Sequence, residues 1–269
     1  MKKSLQLAKD FFKYGMVKDC PVYDMHGHMG SHYGIYFPSS SAEKMVNAMK
    51  QANVKKLVFS HHGCLMSNAG NQLSIREARK FPEYLKVYCS VNPNYPELAE
   101  KDLAAFDEAN DVYAGIKMLA DYHKRPITDA GYKKAWEFAN KRKLPVLLHT
   151  WGKSVFDGPE LVGEVAQKYP DAKILMGHSC HGEWEKAVGL ANKFKNVYLE
   201  LTAVLDERGP LEKFIEEAGS KKIFFGTDMP WFSYHNYIGA VLGAAQKEED
   251  IRNIFYINAE KLLKSPGDA

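Results

Sequence analysis

Four apolar runs in the sequence end on side chains that can bind a metal ion. The first run ends on the pair His26 and His28, and the others end on His149, His178 and Asp228. Apolar runs of this length are typical of buried strands. A polar side chain at the end of a buried strand usually faces a site rather than the core. Four such endings, in the order HxH, His, His and Asp, therefore predict a metal-centred active site.

The chemistry that these residues suit is the activation of water by a divalent metal. His26 and His28 are two positions apart, so on a strand both side chains point to one face and can chelate one ion. His149 could add a third imidazole nitrogen and Asp228 an oxygen, a donor set that suits zinc and similar metals. Such a site keeps one position for water and lowers the pKa of that water to near neutrality.

Each of these residues also has an explanation that involves no metal. A single HxH pair is a weak motif, and His149 or His178 alone could be a satisfied histidine at a strand end. Asp228 precedes Met229 and Pro230 and could cap a turn. Because all of them fall at successive strand ends, we favour a shared metal site over the separate explanations.

The elements that position these residues alternate between strand-like and helix-like segments. Eight strand candidates occur in 269 residues, and most of them are followed by a helix. This alternation predicts a parallel sheet covered by helices, and eight units favour a closed barrel over an open sheet. The turn after the first strand holds HxH rather than the GxGxxG of dinucleotide-binding folds. We expect residues 1–269 to form one domain, a distorted (β/α)8 TIM barrel with C-terminal helices, whose strand ends face one mouth.

Composition and charge argue against several other classes of protein. The chain is 45% hydrophobic and 26% charged, and its formal net charge of +3 with no block of like charges disfavours a nucleic-acid partner. No two of the cysteines form a CxxC pair, so neither a zinc ribbon nor a thioredoxin-like motif is present. The cysteines are Cys20, Cys64, Cys89 and Cys180. We find no apolar run of membrane-spanning length and no signal-peptide pattern. We expect a cytoplasmic protein that acts on a small molecule and binds neither nucleic acid nor membrane.

The segments at the strand ends together resemble the amidohydrolase superfamily. The resemblance is closest to the branch that includes aminocarboxymuconate semialdehyde decarboxylase and related metal-dependent hydrolases. It extends from about residue 22 to residue 263, and it is specific for the superfamily and weak for the substrate. The segments that carry it are 23–28, 115–117, 177–179, 225–230 and 257–263.

The resemblance implies a role for each residue at the strand ends. His26, His28, His149 and Asp228 would bind one divalent metal, with zinc favoured and manganese as the alternative. His178 would act as an acid or base on the substrate, and Asp228 would also take a proton from the metal-bound water. Members of this branch are often dimers, so a homodimer is an open alternative to a monomer.

Lys117 lies in the predicted fourth strand, where some superfamily members carry a carboxylated lysine that bridges two metals. It could instead pair with an anionic substrate, or it could face outward. We favour one metal and expect no second. His61, Trp151 and Glu200 are further candidates for contact with substrate or a second metal, whereas His62 is expected on the loop surface.

Aromatic side chains are frequent in the loops that follow the strand ends. They could form the wall of a pocket and stack on a flat substrate, or they could cover the top edge of the barrel. They are His32, Tyr33, Trp151, Trp231, Phe232 and His235.

Two reactions fit the predicted site, and spacing cannot separate them. We place first the hydrolysis of a small carbonyl compound such as an ester, lactone or amide. The alternative is non-oxidative decarboxylation of a small unsaturated or aromatic acid, for which Lys117 or Arg125 could bind the carboxylate. PHP-type phosphoesterases also open with HxH, but such sites usually close on Asp-x-His, whereas Asp228 is followed by Met229 and Pro230. A barrel without catalytic function is disfavoured because every expected ligand is present.

Overall fold

The computed structural model describes residues 4–245 and 247–264, in which eight strands alternate with helices. The strands are β1 (Val22–Met29), β2 (Val54–His61), β3 (Leu85–Val91), β4 (Tyr113–Met118), β5 (Pro145–Trp151), β6 (Lys173–His181), β7 (Val197–Glu200) and β8 (Ile223–Phe224). The α-helices are α1 (Ser4–Tyr14), α2 (Ala42–Ala52), α3 (His62–Met66), α4 (Gln72–Arg79), α5 (Pro96–Ala104), α6 (Ala120–His123), α7 (Lys133–Arg142), α8 (Pro159–Lys168), α9 (Trp184–Lys193), α10 (Pro210–Glu217), α11 (Tyr234–Ala244), α12 (Glu248–Arg252) and α13 (Asn258–Leu263). Short 3-10 helices occupy Phe106–Ala109, Ala130–Tyr132 and Ser220–Lys222, and a π-helical turn occupies Asn253–Ile257.

The eight strands form one parallel sheet whose spatial order is the order in the sequence. The sheet closes because β1 also bonds to the segment that follows β8. The amide of His28 donates to the carbonyl of Met229 at 2.7 Å, and the amide of Asp228 donates to the carbonyl of His26 at 2.8 Å. A parallel sheet that returns to its first strand, with helices outside it, is a (β/α)8 barrel. The predicted fold class is therefore confirmed.

The strands are buried on both faces, as the wall of a helix-covered barrel requires. Their outer faces pack against the helices in a large apolar cluster, to which β4 contributes Ile116. Since side chains alternate along a strand, Lys117 points the other way, into the barrel beside Leu147 of β5. Six strands each place one side chain in the inner apolar cluster. These side chains are Met25, Val58, Tyr88, Leu147, Leu175 and Phe224.

The helices are amphipathic segments that cover the outside of the sheet. In α2, Met45 and Met49 are buried one turn apart. The helix begins where the Ser41 hydroxyl accepts a hydrogen bond from the amide of Lys44, and it ends at Asn53 in the left-handed conformation, with a φ of 58°. Within the described residues, no helix combines the length and apolar character needed to cross a membrane.

Strand β6 turns sharply at the position that the sequence pattern predicts as a plain strand end. His178, Ser179 and Cys180 are three successive residues with positive φ, at 67°, 47° and 51°. Residues other than glycine rarely adopt this conformation, and structures hold it mainly at functional sites. The Thr150 hydroxyl stabilises the turn, because it donates to the carbonyl of Gly177 and accepts from the amide of Cys180.

Strand β8 is shorter than the sequence pattern predicts. The apolar run predicts a strand that ends at Asp228, but the strand stops at Phe224. The residues that follow bond to β1 instead. The Asp24 carboxylate accepts hydrogen bonds from the amide and the hydroxyl of Thr227, and the amide of Met25 donates to the carbonyl of residue 225. The apolar run therefore covers β8 and Phe225, which packs in the outer apolar cluster, whereas Thr227 and Asp228 bond to β1.

Candidate active site

Strand β1 and the segment after β8 bring three potential metal ligands together. The Oδ1 of Asp228 lies 3.0 Å from the Nε2 of His26 and 3.2 Å from the Nε2 of His28. One ligand atom from each residue lies within 4.8 Å of the other two. Two imidazole nitrogens and one carboxylate oxygen form a donor set that suits zinc and similar divalent ions.

Glu200 fixes the orientation of His26. Its Oε2 lies 3.0 Å from the Nδ1 of His26 and accepts a hydrogen bond from the amide of His178 at 3.1 Å. Its Oε1 accepts from the amide and the hydroxyl of Thr202, at 2.9 and 2.6 Å. Burial raises the pKa of Glu200 to about 7, while these hydrogen bonds favour the carboxylate form. When the Nδ1–H of His26 donates to this carboxylate, the lone pair of its Nε2 faces Asp228. We call His26, His28 and Asp228 the ligand cluster.

Two acceptors, the Nε2 of His26 and the Oδ1 of Asp228, face each other at the centre of the cluster. Burial lowers the pKa of His26 and His28 well below the usual value, so their short contacts with Asp228 are not ion pairs. The buried Oδ1 of Asp228 has no hydrogen-bond partner among the described residues. A buried carboxylate oxygen that faces the lone pair of His26 is costly unless a cation lies between them. The residues present therefore fit a divalent metal.

Lys117 also directs positive charge to this point. Its side chain is fully buried, and its Nζ lies 2.9 Å from the Nε2 of His26. Burial lowers the pKa of Lys117 to about 8, although Asp228 and Glu200 act in the opposite direction. The outward orientation that the sequence left open is therefore excluded. A contact of Lys117 with substrate or with a second metal stays a prediction.

His149 is held by a buried carboxylate in the same way as His26. Its Nδ1 lies 2.8 Å from the Oδ2 of Asp157, which also accepts a hydrogen bond from the amide of Asp121 at 3.2 Å. With Nδ1 engaged, the Nε2 of His149 is left for the cavity that this ring lines. His149 lies outside the group of three converging ligands, and its place among the ligands stays a prediction.

His178 lies between His26 and His149. Its ring centroid is 5.2 Å from that of His26, 4.8 Å from that of His149 and 5.6 Å from that of Trp151. Burial lowers the pKa of His178 well below the usual value, so its ring is neutral at pH 7. Its buried Nδ1 has no hydrogen-bond partner in the part of the chain that the structure describes. A neutral imidazole in this position can accept or donate one proton.

A cavity of about 170 Å³ adjoins these residues. An engineered protein cavity of about 150 Å³ holds a benzene molecule, so this volume suits a single small ring. Two residues of the predicted aromatic wall do not line the cavity. Tyr33 is 99% exposed, and His235 packs against Phe11 of α1. The residues of the predicted wall that do line it are His32, Trp151, Trp231 and Phe232.

His61 and His62, at the junction of β2 and α3, have the reverse of their predicted positions. His61, a candidate for the pocket, is not among the residues that line the cavity. Its Nδ1 accepts a hydrogen bond from the amide of Gly63, and its ring packs against Gly30. His62, expected on the loop surface, is buried and lines the cavity. The reason is that β2 ends at His61 and α3 begins at His62, so the alternation of the strand does not extend to His62.

Two carboxylates differ from their sequence-based interpretation. Glu200, a candidate for direct contact with substrate or metal, lies behind His26 and is not among the residues that line the cavity. Asp157 was missed altogether. It precedes Gly158 and Pro159, a pattern that indicates only a helix start. Its role depends on its proximity to His149, for which the sequence carries no signal.

Comparisons with solved structures show where this fold recurs. An uncharacterised TIM-barrel protein from Bordetella bronchiseptica is 17% identical, with a TM-score of 0.76, over 90% of this chain and 98% of its own. A dihydroxybenzoic acid decarboxylase from Polaromonas, solved with manganese and the inhibitor 2-nitroresorcinol, is 16% identical with a TM-score of 0.72, over 91% and 97%. A probable 2-pyrone-4,6-dicarboxylic acid hydrolase from Acinetobacter baumannii is 15% identical with a TM-score of 0.67, over 91% and 99%. At these identities the likeness shows a shared fold.

Sequence comparison settles the family. No protein of curated function matches the chain. The sequence profile described as Amidohydrolase, however, matches residues 23–264, which is nearly the whole length. The profile covers every strand end described above, and its match confirms the resemblance to the amidohydrolase superfamily. The chain therefore belongs to the amidohydrolase family and is an enzyme of that superfamily.

Proposed function

We propose that the chain is a metal-dependent hydrolase of a small ester, lactone or amide. The observation that carries the proposal is the convergence of His26 and His28 on the Oδ1 of Asp228, which has no hydrogen-bond partner among residues 4–245 and 247–264. These buried acceptors fit one divalent ion, and His149 would complete the ligand set. Zinc is favoured because nitrogen and carboxylate oxygen are its usual ligands. Manganese is the alternative, because the similar Polaromonas decarboxylase was solved with it.

When bound, the metal would polarise the substrate carbonyl and lower the pKa of water. The residues around it would then carry the protons and the charge. The Oδ1 of Asp228 can accept the proton that the attacking water loses. The neutral ring of His178 can transfer one proton to the leaving oxygen or nitrogen of the substrate. Lys117 can stabilise negative charge that develops on the substrate, and Trp151 and Trp231 offer aromatic faces to it in the cavity.

A second candidate is the decarboxylation of a small aromatic acid at the same site. The specific observation that favours it is the ring-sized cavity, whose aromatic walls suit a flat substrate. Lys117 supplies a cation for a carboxylate, and the similar Polaromonas protein decarboxylates an aromatic acid. In this reaction the ring carbon that loses carbon dioxide would receive a proton from water, passed on by Asp228 or His178.

The metal site is tested by metal analysis of the purified wild type and of the variants His26→Ala and Asp228→Asn. We expect about one metal ion per chain in the wild type and strong depletion in both variants. Glu160→Gln is a matched control, because Glu160 is an exposed residue of α8. Full metal content in both site variants would contradict the proposal that His26 and Asp228 bind the metal.

The reaction is tested by the products that the metal-loaded enzyme releases. A panel of aryl esters, lactones and amides is followed by acid release, and a panel of aromatic acids by carbon dioxide release. If the enzyme is a hydrolase, the wild type releases acid and Asp228→Asn does not. If the wild type releases carbon dioxide and no hydrolytic product, the proposed reaction is decarboxylation instead of hydrolysis.

A further inference from the structure

His62 is the next ring outward from the ligand cluster. Its ring is parallel to that of His28, with an interplanar angle of 1° and centroids 5.0 Å apart, and nearly parallel to that of Phe37, at 12° and 5.7 Å. Its Nδ1 lies 2.9 Å from the carbonyl oxygen of Gly30. Because a carbonyl oxygen only accepts, this nitrogen carries the proton. Two stacking contacts and one hydrogen bond thus fix the plane, the position and the tautomer of His62.

The fixed tautomer leaves Nε2 of His62 with a lone pair. Within residues 4–245 and 247–264, the hydrogen bond of Nδ1 to Gly30 is the one found for this ring. His62 is 5% exposed, and it lines the cavity together with His28 and His32. The His32 ring packs against an edge of His62, at 77° and 4.9 Å. With both faces covered and Nδ1 engaged, Nε2 is the polar atom of the ring that remains for a ligand in the cavity.

We propose that His62 determines substrate specificity by accepting a hydrogen bond from a hydroxyl or N–H group on a small ring. The inference rests on the proposed function, because the proposed function places the reacting group of the substrate at His26, His28 and Asp228. A ring that fills a cavity of about 170 Å³ and reaches this cluster also presents a substituent to His62. A donor at that substituent satisfies Nε2, whereas a methoxy group leaves the acceptor unpaired and is rejected.

The test compares the binding of matched probes to matched variants. The probes are 2-, 3- and 4-hydroxybenzoate, each paired with its methoxy counterpart, and the dissociation constants are measured by calorimetry. His62→Phe keeps an aromatic ring against His28 and removes the acceptor. His62→Gln returns an acceptor oxygen close to the position of Nε2, and His62→Asn keeps a donor for the Gly30 carbonyl without that acceptor. His61→Phe is the control on the neighbouring ring, which does not line the cavity.

We expect the wild type and His61→Phe to bind at least one hydroxy isomer about tenfold more tightly than its methoxy counterpart. The ratio should fall to about one in His62→Phe and His62→Asn and recover in His62→Gln. If His62→Phe fails to fold, the contrast between the Gln and Asn variants decides the question. The proposal is overturned if the wild type prefers no hydroxy isomer, or if the preference persists in the Phe and Asn variants.

Metal content is measured in the same samples, which separates this proposal from the proposed function. A wild type that binds no metal and turns over no substrate, yet keeps the hydroxyl preference, contradicts the metal-dependent hydrolase and supports the role of His62. An active, metal-loaded enzyme that has no hydroxyl preference contradicts the role of His62 alone.

Discussion

Two buried carboxylates orient two histidines of the site by the same contact. The Oε2 of Glu200 lies 3.0 Å from the Nδ1 of His26, and the Oδ2 of Asp157 lies 2.8 Å from the Nδ1 of His149. A carboxylate in this position fixes the ring, selects the tautomer with a free Nε2 and raises the basicity of that nitrogen. At the scale of single residues, metal affinity should therefore depend on side chains that do not touch the metal.

Glu200→Gln should weaken metal binding by about ten- to a hundredfold, with the ligands unchanged. When the amide oxygen of the new side chain stays with Thr202, its NH2 group faces the Nδ1–H of His26 and the amide of His178. This arrangement favours the tautomer of His26 that carries its proton on Nε2 and cannot bind a metal through that atom. Competition with a chromogenic chelator measures the affinity, and Glu160→Gln serves as the surface control. An affinity equal to that of the wild type would show that Glu200 does not orient His26.

A buried histidine outside the site should make the stability of the protein depend on pH. His123 lies 2.8 Å from the carbonyl of Leu65 through Nε2 and 2.6 Å from the hydroxyl of Tyr132 through Nδ1. Burial lowers the pKa of His123 below its usual value of 6.5. The unfolded chain therefore binds this proton more readily than the folded protein, so stability is complete above pH 6.5 and falls as the pH decreases below it.

His123→Gln removes this titration and should flatten the pH dependence of stability. Urea unfolding of both proteins between pH 7.5 and pH 5 gives the two slopes. Below pH 6.5, one proton contributes at most about 1.4 kcal/mol for each pH unit. The variant should lose less stability than the wild type over this range, even if it is less stable at pH 7.5. Equal slopes would remove His123 as a source of the acid sensitivity.

At the scale of elements, the close packing of neighbouring strands sets where the site residues lie. Gly115 in β4 is two residues before Lys117, and a Cβ atom at this position would overlap with the backbone carbonyl oxygen of Pro145 in β5. Two backbones cannot be this close when a side chain lies between them. The glycine therefore permits the register that places Lys117 beside His26.

Gly115→Ala should destabilise the protein by about 1–3 kcal/mol, because β4 and β5 have to move apart. The same movement should shift Lys117 and lower activity further than the loss of stability explains. Gly189→Ala in α9 is the matched control, since a Cβ atom there meets none of the described residues within 4 Å and alanine is favoured in a helix by about 0.5–1 kcal/mol. Chemical denaturation measures both variants. An unchanged midpoint for Gly115→Ala would contradict the steric argument.

At the scale of the whole molecule, the ligand cluster lies on the seam that closes the barrel. His26 and His28 belong to β1, whereas Asp228 follows β8, and the same two segments exchange the backbone hydrogen bonds of the closure. A metal held by all three residues would join the first and last strands of the sheet. Metal binding should therefore stabilise the global fold as well as the site.

Saturation with zinc should raise the thermal unfolding temperature of the metal-free wild type. At a metal concentration a hundred times the dissociation constant, the stabilisation is about 2.7 kcal/mol, or roughly 5–11 °C for a chain of this size. His26→Ala should show almost no increase under the same conditions. Differential scanning calorimetry after dialysis against a chelator measures both proteins. An equal increase in the variant would place the stabilising metal elsewhere.

The sequence by itself determined the fold and the residue types of the site. The apolar runs that end on His26, His28, His149, His178 and Asp228 predict both, because burial imposes a local periodicity and a parallel barrel gathers its strand ends at one mouth. The parallel eight-stranded barrel confirms the fold class, and the family match confirms the superfamily. The roles of the individual ligands stay predictions until metal binding is measured.

The tertiary structure decided the features that depend on contacts between distant segments. It placed His62 rather than His61 at the cavity, Glu200 behind His26, and Asp157 beside His149. Local periodicity could not show these positions, since each depends on where a chain turns or on which backbone lies next to it. A hydrogen bond between side chains 174 residues apart, such as that between His26 and Glu200, has no counterpart in the local sequence pattern.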